Sequence, residues 1–429
     1  MSCHIYWFRN DLRLADSPAL TAACRTATSL IPVYIRPASD EMTRWGFTRC
    51  SAQRQQYLSD TLDALDADLR ALGSRLIVLE GPAPEALAAL ARMVQTDQVV
   101  CETIAAPEEQ LEVTQLIKLG VRVQEHWQST MLDPEDLPFD VENMPDVFTG
   151  FRQRIEKSQG FARTTVARLQ SPPPLPDLSS LHTSDESGLA PNLHDQSVAA
   201  GERAALQHLA TYFSGPHASR YKLTRNQLSG THFSTQFSPW LALGTLSAPT
   251  IVEHLKQYEA QHGANDSTYW IWFELLWRDY FRFLHLKYGR KLYARQGLRR
   301  RDDGSIHDAL APLTSSGAKT AFARWTEGNT RNSLVNAGMN ELRATGWISN
   351  RMRQIVASYL IYDLKLDWRA GAAWFESQLL DYDVYSNQGN WLYIAGLGTD
   401  PRGGRQMNME KQASEHDPEG LYRKQWTAT

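Results

Sequence analysis

The strongest constraint on what this chain can fold into is a change of pattern near residue 200. Before it, short β-type runs alternate with helical ones; after it, the β signal nearly vanishes. The β-type runs cover 5–8, 30–35, 76–79, 98–101 and 121–126. Between the later ones lie helical patterns over 51–72, 84–94 and 107–119. Their apolar residues recur three and four apart, as in Leu58, Leu62, Leu65, Leu69 and Leu72. Strand–helix–strand alternation implies crossover connections, which cover a parallel sheet on both faces. A Rossmann-like α/β domain is therefore expected over residues 1–130. From 131 to 200 the pattern dissolves into a Pro-, Ser- and acid-containing stretch that reads as a connector. Residues 201–429 are expected to form an all-helical domain. Within it Met352, Ile355, Val356, Tyr359 and Leu360 make one apolar stripe, and Asn350, Arg353 and Ala357 an adjacent line.

Composition removes several function classes. No run approaches the roughly 18 consecutive apolar residues of a membrane span, and the first residues, Met-Ser-Cys-His-Ile-Tyr-Trp-Phe-Arg, lack the form of a signal peptide. A cytoplasmic protein, monomeric, is expected. Cys3, Cys24, Cys50 and Cys101 are far apart, so no metal site is expected. The net charge of −4 gives no global attraction for nucleic acid, so a phosphate partner needs a local basic patch. The first strand is followed by Phe8-Arg-Asn-Asp-Leu-Arg-Leu14, not by a glycine-rich phosphate loop, and no P-loop occurs. Ten of the thirteen tryptophans lie at or after Trp240, which places the aromatic weight in the helical half.

Four segments there can carry chemistry. Residues 380–393 combine Asp381, Asp383, Asn387 and Asn390 with Tyr382, Tyr385, Trp391 and Tyr393. This mixture suits a buried ring held by polar groups at its edge. In 268–283, Glu274, Trp277, Arg278 and Phe281 share a helical face. A carboxylate among indoles is costly to bury unless it binds something, but a Glu274–Arg278 pair at i,i+4 explains it as well. From Arg278 to Arg301 there are nine Lys or Arg and one acid, interleaved with aromatics. Backbone contact plus base stacking would use such a stretch; a solvated basic face is the other reading. Finally, Tyr221 and the run Thr231-His-Phe-Ser-Thr-Gln-Phe-Ser-Pro-Trp240 join hydroxyls to a helix start. Ser234, Thr235 and Ser238 can donate to a phosphate, or simply cap the helix.

Taken in order, these motifs resemble photolyases and cryptochromes. They are Phe-Ser-Pro-Trp-Leu-Ala-Leu-Gly (237–244), Phe-Glu-Leu-Leu-Trp-Arg-Asp-Tyr-Phe (273–281), Thr-Gly-Trp-Ile-Ser-Asn-Arg-Met-Arg-Gln (345–354), Leu-Asp-Trp-Arg-Ala-Gly (366–371) and Asp-Tyr-Asp-Val-Tyr-Ser-Asn (381–387) before Gly-Asn-Trp391. The first two, with Ala395-Gly-Leu-Gly-Thr-Asp-Pro-Arg402, look like the cryptochrome DASH subgroup. The resemblance implies a light-driven flavoprotein with FAD in the helical domain. It places Tyr221, Ser234, Thr235 and Ser238 at the FAD phosphates. Glu274, Arg278, Asn350 and Arg353 would lie beside the cofactor, with Arg353 paired to Asp381. Asp383 would meet the polar edge of the ring, and Asn387 its N5. It also implies that Glu274, Trp277, Asn350 and Tyr393 bind a flipped pyrimidine dimer, most readily in single-stranded DNA. Arg282, Lys287 and Arg290 would contact the DNA backbone. Trp391 and Trp368 would relay electrons. An antenna, such as 5,10-methenyltetrahydrofolate, would sit near Glu109. The implied reaction is dimer splitting by electron transfer from reduced FAD. The alternative is a blue-light receptor that binds DNA with little repair.

The chain departs from the family pattern in three places. Asn336 and Asn340 stand where relatives carry an Asp and an Arg, near the expected cofactor and lesion pocket, and are expected to pair across one helical turn. Ser315 stands where the outermost relay tryptophan is expected, which implies slowed or rerouted photoreduction. The sequence stops at Thr429, so no regulatory C-terminal tail is expected.

Overall fold

The structure is a computed structural model that describes residues 2–178, 198–230, 232–299 and 310–427. Arg300 and Arg301, the end of the basic stretch, lie outside the described residues. Five strands, β1 (Cys3–Phe8), β2 (Ser29–Arg36), β3 (Ile77–Glu80), β4 (Gln98–Glu102) and β5 (Arg122–His126), form one parallel sheet in the order β3-β2-β1-β4-β5. The two-residue side-chain period splits β1 between two cores. Ile5 and Trp7 face one, with Leu87, Leu90, Val113 and Leu116; Tyr6 and Phe8 face the other, with Leu20, Leu62, Leu65 and Leu69. The covering helices are α1 (Pro18–Thr26), α2 (Ala52–Arg70), α3 (Ala83–Met93) and α4 (Pro107–Lys118). Sequence patterning marks no α1, because it has nine residues and its core contacts are Ala19, Leu20 and Ala23. Strand order reverses between β1 and β4. The crevice beyond their C-terminal ends is where such sheets bind ligands.

Chain 131–158 is not a bare connector. Its helix α5 (Phe148–Ser158) buries Phe148, Phe151 and Ile155 in the core of the helical body, together with Met131, Leu132 and Met144. That body is built from α6 (Gly201–Ser214), α7 (Tyr221–Thr224), α8 (Ser238–Leu243), α9 (Ala248–His262), α10 (Asp266–Tyr288), α11 (Ser316–Thr326), α12 (Ser333–Thr345), α13 (Asn350–Ser358), α14 (Trp368–Gln378), α15 (Val384–Ala395), α16 (Met409–His416) and α17 (Leu421–Thr427). The two bodies meet without a gap at Gly244. Its φ of +69° is in the left-handed region, and an added Cβ would lie 1.9 Å from the Asn10 carbonyl oxygen. There the Leu12 amide donates to the Leu243 carbonyl (3.0 Å), and Arg13 donates to the Gly244 carbonyl (2.9 Å). Among the described residues no helix is long and apolar enough to cross a membrane. Nor, among them, do three or more His, Cys, Asp or Glu gather to hold a metal ion.

Candidate cofactor and active site

Three helices converge on one cavity of about 510 Å³. Helix α10 starts at Asn265, whose side chain accepts from the amides of Ser267 (2.8 Å) and Thr268 (3.1 Å). Two turns on, its inner face presents Glu274, Trp277, Arg278 and Phe281. Helix α13 starts at Ser349, whose Oγ accepts from the Met352 amide (3.2 Å), and contributes Asn350 and Arg353. Helix α15 contributes Ser386, Asn390 and Tyr393, while Tyr221, Ser234, Thr235 and Ser238 close the far end. A smaller adjoining cavity of about 60 Å³ shares Asn350, Arg353 and Asp381 and adds Asp383, Asn387 and Trp391. Helix α15 lies this close to α10 because of Gly389, where an added Cβ would sit 2.1 Å from the Phe281 ring.

The walls are charged and hydrogen-bonded in a definite way. Arg353 donates to the buried Asp381 (2.7 Å), leaving Asp381 Oδ1 without a protein partner. Ser234 Oγ is likewise buried and unpartnered. Buried polar atoms with open valences call for a ligand or water. Asp381 and Ser234 both line the same cavity, whose other walls mix hydroxyls, charges and aromatic rings, as a cofactor with a polar ring edge and a phosphate chain requires. Asp383 caps α15 by accepting from the Tyr385 amide (3.3 Å), and it accepts two bonds from Arg282 (3.0 and 3.1 Å). Burial alone would raise its pKa; the charges of Arg282 and Arg278 outweigh that and hold it at about 2. Asn387 donates to the Ala372 carbonyl (3.0 Å), which fixes its amide against α14. Trp391 and Trp368 are both buried, and Ser315 is the exposed N-cap of α11, its Oγ accepting from the Ala318 amide (3.2 Å). Trp391 instead has Trp325 beside it, ring centroids 6.5 Å apart.

Several expectations need correction. Arg282 is not a DNA contact: it is 3% exposed and committed to Asp383. Lys287 is held by Asp146 (2.7 Å) and the Met144 carbonyl, and Arg290 lines the cleft between the two bodies. Charge density along the sequence misled here because α10 turns its cations to different partners. Glu274 does not pair with Arg278. It pairs with Arg225, while Arg278 donates to the carbonyls of Ser129 and Leu241. Burial raises the pKa of Glu274, and Arg225 opposes the rise. Asp383 lines the cavity, but its carboxylate is directed to Arg282 and Ser386. Asn336 and Asn340 do not bond each other. Asn336 closes a turn on Thr330, accepting from its amide (2.8 Å) and donating to its carbonyl (3.0 Å), and Asn340 donates to the Trp426 carbonyl (2.8 Å). Helix α12 packs on α17, and neither Asn lines the 510 Å³ or the 60 Å³ cavity.

Two residues of the site were missed. Arg225 lies one turn after Tyr221, the spacing that would have placed it on the same helical face. Phe148 stacks face to face on Trp277, centroids 3.7 Å apart, and comes from the segment with no clear periodicity. A second, larger cleft of about 640 Å³ runs between the two bodies. It is lined by Glu108, Glu109, Arg49, Trp45, Tyr293 and Tyr382, and reaches Asn387 and Trp368. Burial raises the pKa of Glu109 there.

Comparison with known proteins shows the family of the chain. The family model described as "DNA photolyase" matches residues 4–176, and that described as "FAD binding domain of DNA photolyase" matches residues 270–429. The chain is 39% identical to cryptochrome DASH of Synechocystis sp. over 98% of its own length and 86% of the relative's. It is 41% identical to cryptochrome DASH of Danio rerio, over 97% and 81% respectively. The crystal structure of the Synechocystis sp. cryptochrome superposes with a TM-score of 0.91 at 37% identity, covering 99% of this chain and 88% of that one. A class III photolyase from Agrobacterium tumefaciens superposes at 0.79 and 26% identity, covering 100% and 87%. Residues 270–429, which include most of α10 and all of α13 and α15, match the family's FAD-binding domain, and the chain belongs to the cryptochrome DASH group of the photolyase family.

Proposed function

We propose that the protein uses FAD and blue light to split cyclobutane pyrimidine dimers in DNA, preferentially single-stranded DNA. One observation carries this reading: Glu274, Trp277, Asn350 and Tyr393 line the same continuous cavity as Arg353 and Asp381. A dimer entering that cavity would therefore meet the cofactor with no protein wall between them. Bound reduced FAD supplies the electron that opens the cyclobutane ring. The chain's own residues do the rest. Trp277 and Tyr393 offer flat walls to the splayed bases, their rings 6.0 Å apart at 68°. Glu274, oriented by Arg225, accepts hydrogen bonds from a base edge. Arg353, held by Asp381, places positive charge beside the ring edge, where added negative charge needs it.

Arg225 lines this cavity, and two further cations for a DNA strand, Arg351 and Arg405, adjoin its lining residues Asn350 and Tyr393. Arg225 stacks on Trp270 at 4.5 Å, and Arg405 stacks on Tyr393 at 4.8 Å. Arg351 donates to Asn226 (3.0 Å), and burial together with Arg225 lowers its pKa. Single strands suit the site because a dimer flipped from them breaks no base pairs. The cleft at Glu109 is proposed for a light-harvesting second chromophore, a reduced folate such as 5,10-methenyltetrahydrofolate. The deciding experiment exposes single-stranded DNA carrying a thymine dimer to the reduced, FAD-loaded protein, in blue light and in darkness. Light-dependent loss of the dimer is expected. FAD bound without that loss would reject repair and favour the reading as a light receptor with little repair.

The Ser315 position yields a separate prediction for the oxidised protein. Trp391 and Trp368 are present, but no indole stands at residue 315 to take the positive charge onward. Photoreduction is expected to be slow, with the tryptophan radical decaying by charge return. Transient absorption checks this, and Ser315→Trp should lengthen the radical's lifetime. A long-lived radical in the unmodified protein would show that another residue has taken over the outer step.

A further inference from the structure

Glu102 ends β4 at the sheet's switch point and is 1% exposed, yet neither of its carboxylate oxygens has a hydrogen-bond partner in the protein. A buried carboxylate so placed is costly unless its surroundings compensate. It lines a cavity of about 20 Å³ between the two bodies, together with Arg13, Gln128, Ser129, Arg278 and Arg282. Two more buried atoms there lack partners, Ser129 Oγ and Arg282 Nε. A volume of that size holds about one water molecule, and the site has the two or more polar partners a buried water needs. Arg282 connects this cavity to the cofactor site, because its other nitrogens grip Asp383, which lines the 60 Å³ cavity with Asn387.

We propose that Glu102 and a water molecule in this interdomain cavity form a proton store for the cofactor site, coupled to the cofactor's charge through the Arg282–Asp383 pair. The charged neighbours act in both directions. Asp11 opposes ionisation of Glu102, while Arg13, Arg282 and Arg9 favour it; Arg278 and Tyr385 also border the cavity. Burial is the largest influence, and with Asp11 it pushes the Glu102 pKa up to about 8. The carboxyl therefore keeps its proton well above the ordinary Glu range. Negative charge added beside Asp383 draws the Arg282 guanidinium away from Glu102 in effect, so Glu102 takes up a proton from solvent. The balance is one electron from an added reductant such as dithionite to the cofactor, and a proton from water to Glu102, over and above any the cofactor itself binds.

The inference rests on the FAD assignment, and Glu102→Gln tests it separately. The folded protein holds a proton on Glu102 over an interval in which the unfolded chain does not. Wild-type stability therefore falls as pH rises from the ordinary Glu range to about 8. The Gln variant should lose this fall and keep FAD, read from flavin absorbance. On reduction near pH 8, proton uptake measured with an indicator dye should drop by a sizeable fraction of one proton per molecule, and a carboxylic-acid band in the reduced-minus-oxidised infrared spectrum should vanish. Should the Gln variant not fold, Glu102→Asp replaces it, and that band should move in frequency. An FAD-loaded Gln variant with wild-type proton uptake, or an unmoved band in the Asp variant, overturns the proposal. Loss of FAD from the wild-type protein alone would count instead against the cofactor assignment.

Discussion

Arg282→Ala is expected to destabilise the protein by about 3–5 kcal/mol, the usual cost of breaking a buried ion pair from one side. The residue is 3% exposed and makes two bonds to Asp383, at 3.0 and 3.1 Å, besides a longer one to the Arg278 carbonyl (3.4 Å). Removing it strands a carboxylate that also caps α15, the helix carrying Asn387, Trp391 and Tyr393. Loss of FAD should accompany loss of stability. Arg282→Lys should rescue only in part, because a point charge cannot reproduce the two-pronged contact. The stabilisation from ionised Asp383 is present above the ordinary Asp range and lost as pH falls towards about 2, so the defect should be evident at neutral pH. Chemical denaturation and flavin absorbance measure both effects. DNA binding supplies the contrast. A lysine or arginine on a phosphate reduces the salt dependence of affinity by about one counterion when removed. Variants at Arg225, Arg351 or Arg405 should show that reduction. If FAD-loaded Arg282→Ala shows it too, the burial argument is wrong.

Glu274→Ala is expected to lower light-driven dimer splitting by about 10- to 100-fold, the worth of a good bidentate contact to a base edge. FAD should stay bound, since Arg353, Asp381 and the hydroxyls at 234, 235 and 238 remain. The variant also frees Arg225 from its carboxylate partner, so undamaged DNA should bind no more weakly than before. The combination of lost repair, kept FAD and kept general affinity separates recognition of the lesion from a folding defect. Glu274→Gln, which keeps an acceptor oxygen, should fall between alanine and the wild-type residue. Equal repair by the Ala variant would remove Glu274 from the reaction.

Much of this site was legible before any geometry. The line Asn350, Arg353 and Ala357 on α13, and the face Glu274, Trp277 and Phe281 on α10, follow from helical spacing, and between them they border the 510 Å³ and 60 Å³ cavities. The five parallel strands followed from short β-type runs between helical patterns; the inner strands β1 and β2 are nearly continuous apolar runs because both of their faces are covered, while the edge strand β5 is largely polar. What failed were statements about partners. Glu274 and Arg278 are four apart and yet bond elsewhere, to Arg225 and to the carbonyls of Ser129 and Leu241. Asn336 and Asn340 are four apart too, and turn to Thr330 and Trp426. Along a helix, spacing places two side chains on one face without saying which third group comes closer.

By itself, then, the sequence determined the α/β and helical halves, the cofactor class and the residues of the cavity wall. Those depend on period and local motif, which neighbours along the chain carry. Tertiary structure decided which charges are spent on folding and which are left for a ligand. Arg282 looked like a surface cation in a basic run and is buried against Asp383; Arg225, given no role in the sequence reading, lines the cavity and pairs with Glu274. Phe148 reached Trp277 from a segment without pattern. Glu102, an ordinary strand end, became a buried carboxylate without a partner. Desolvation and pairing of a charge depend on what the rest of the chain brings against it, and that is set when the two bodies close on each other.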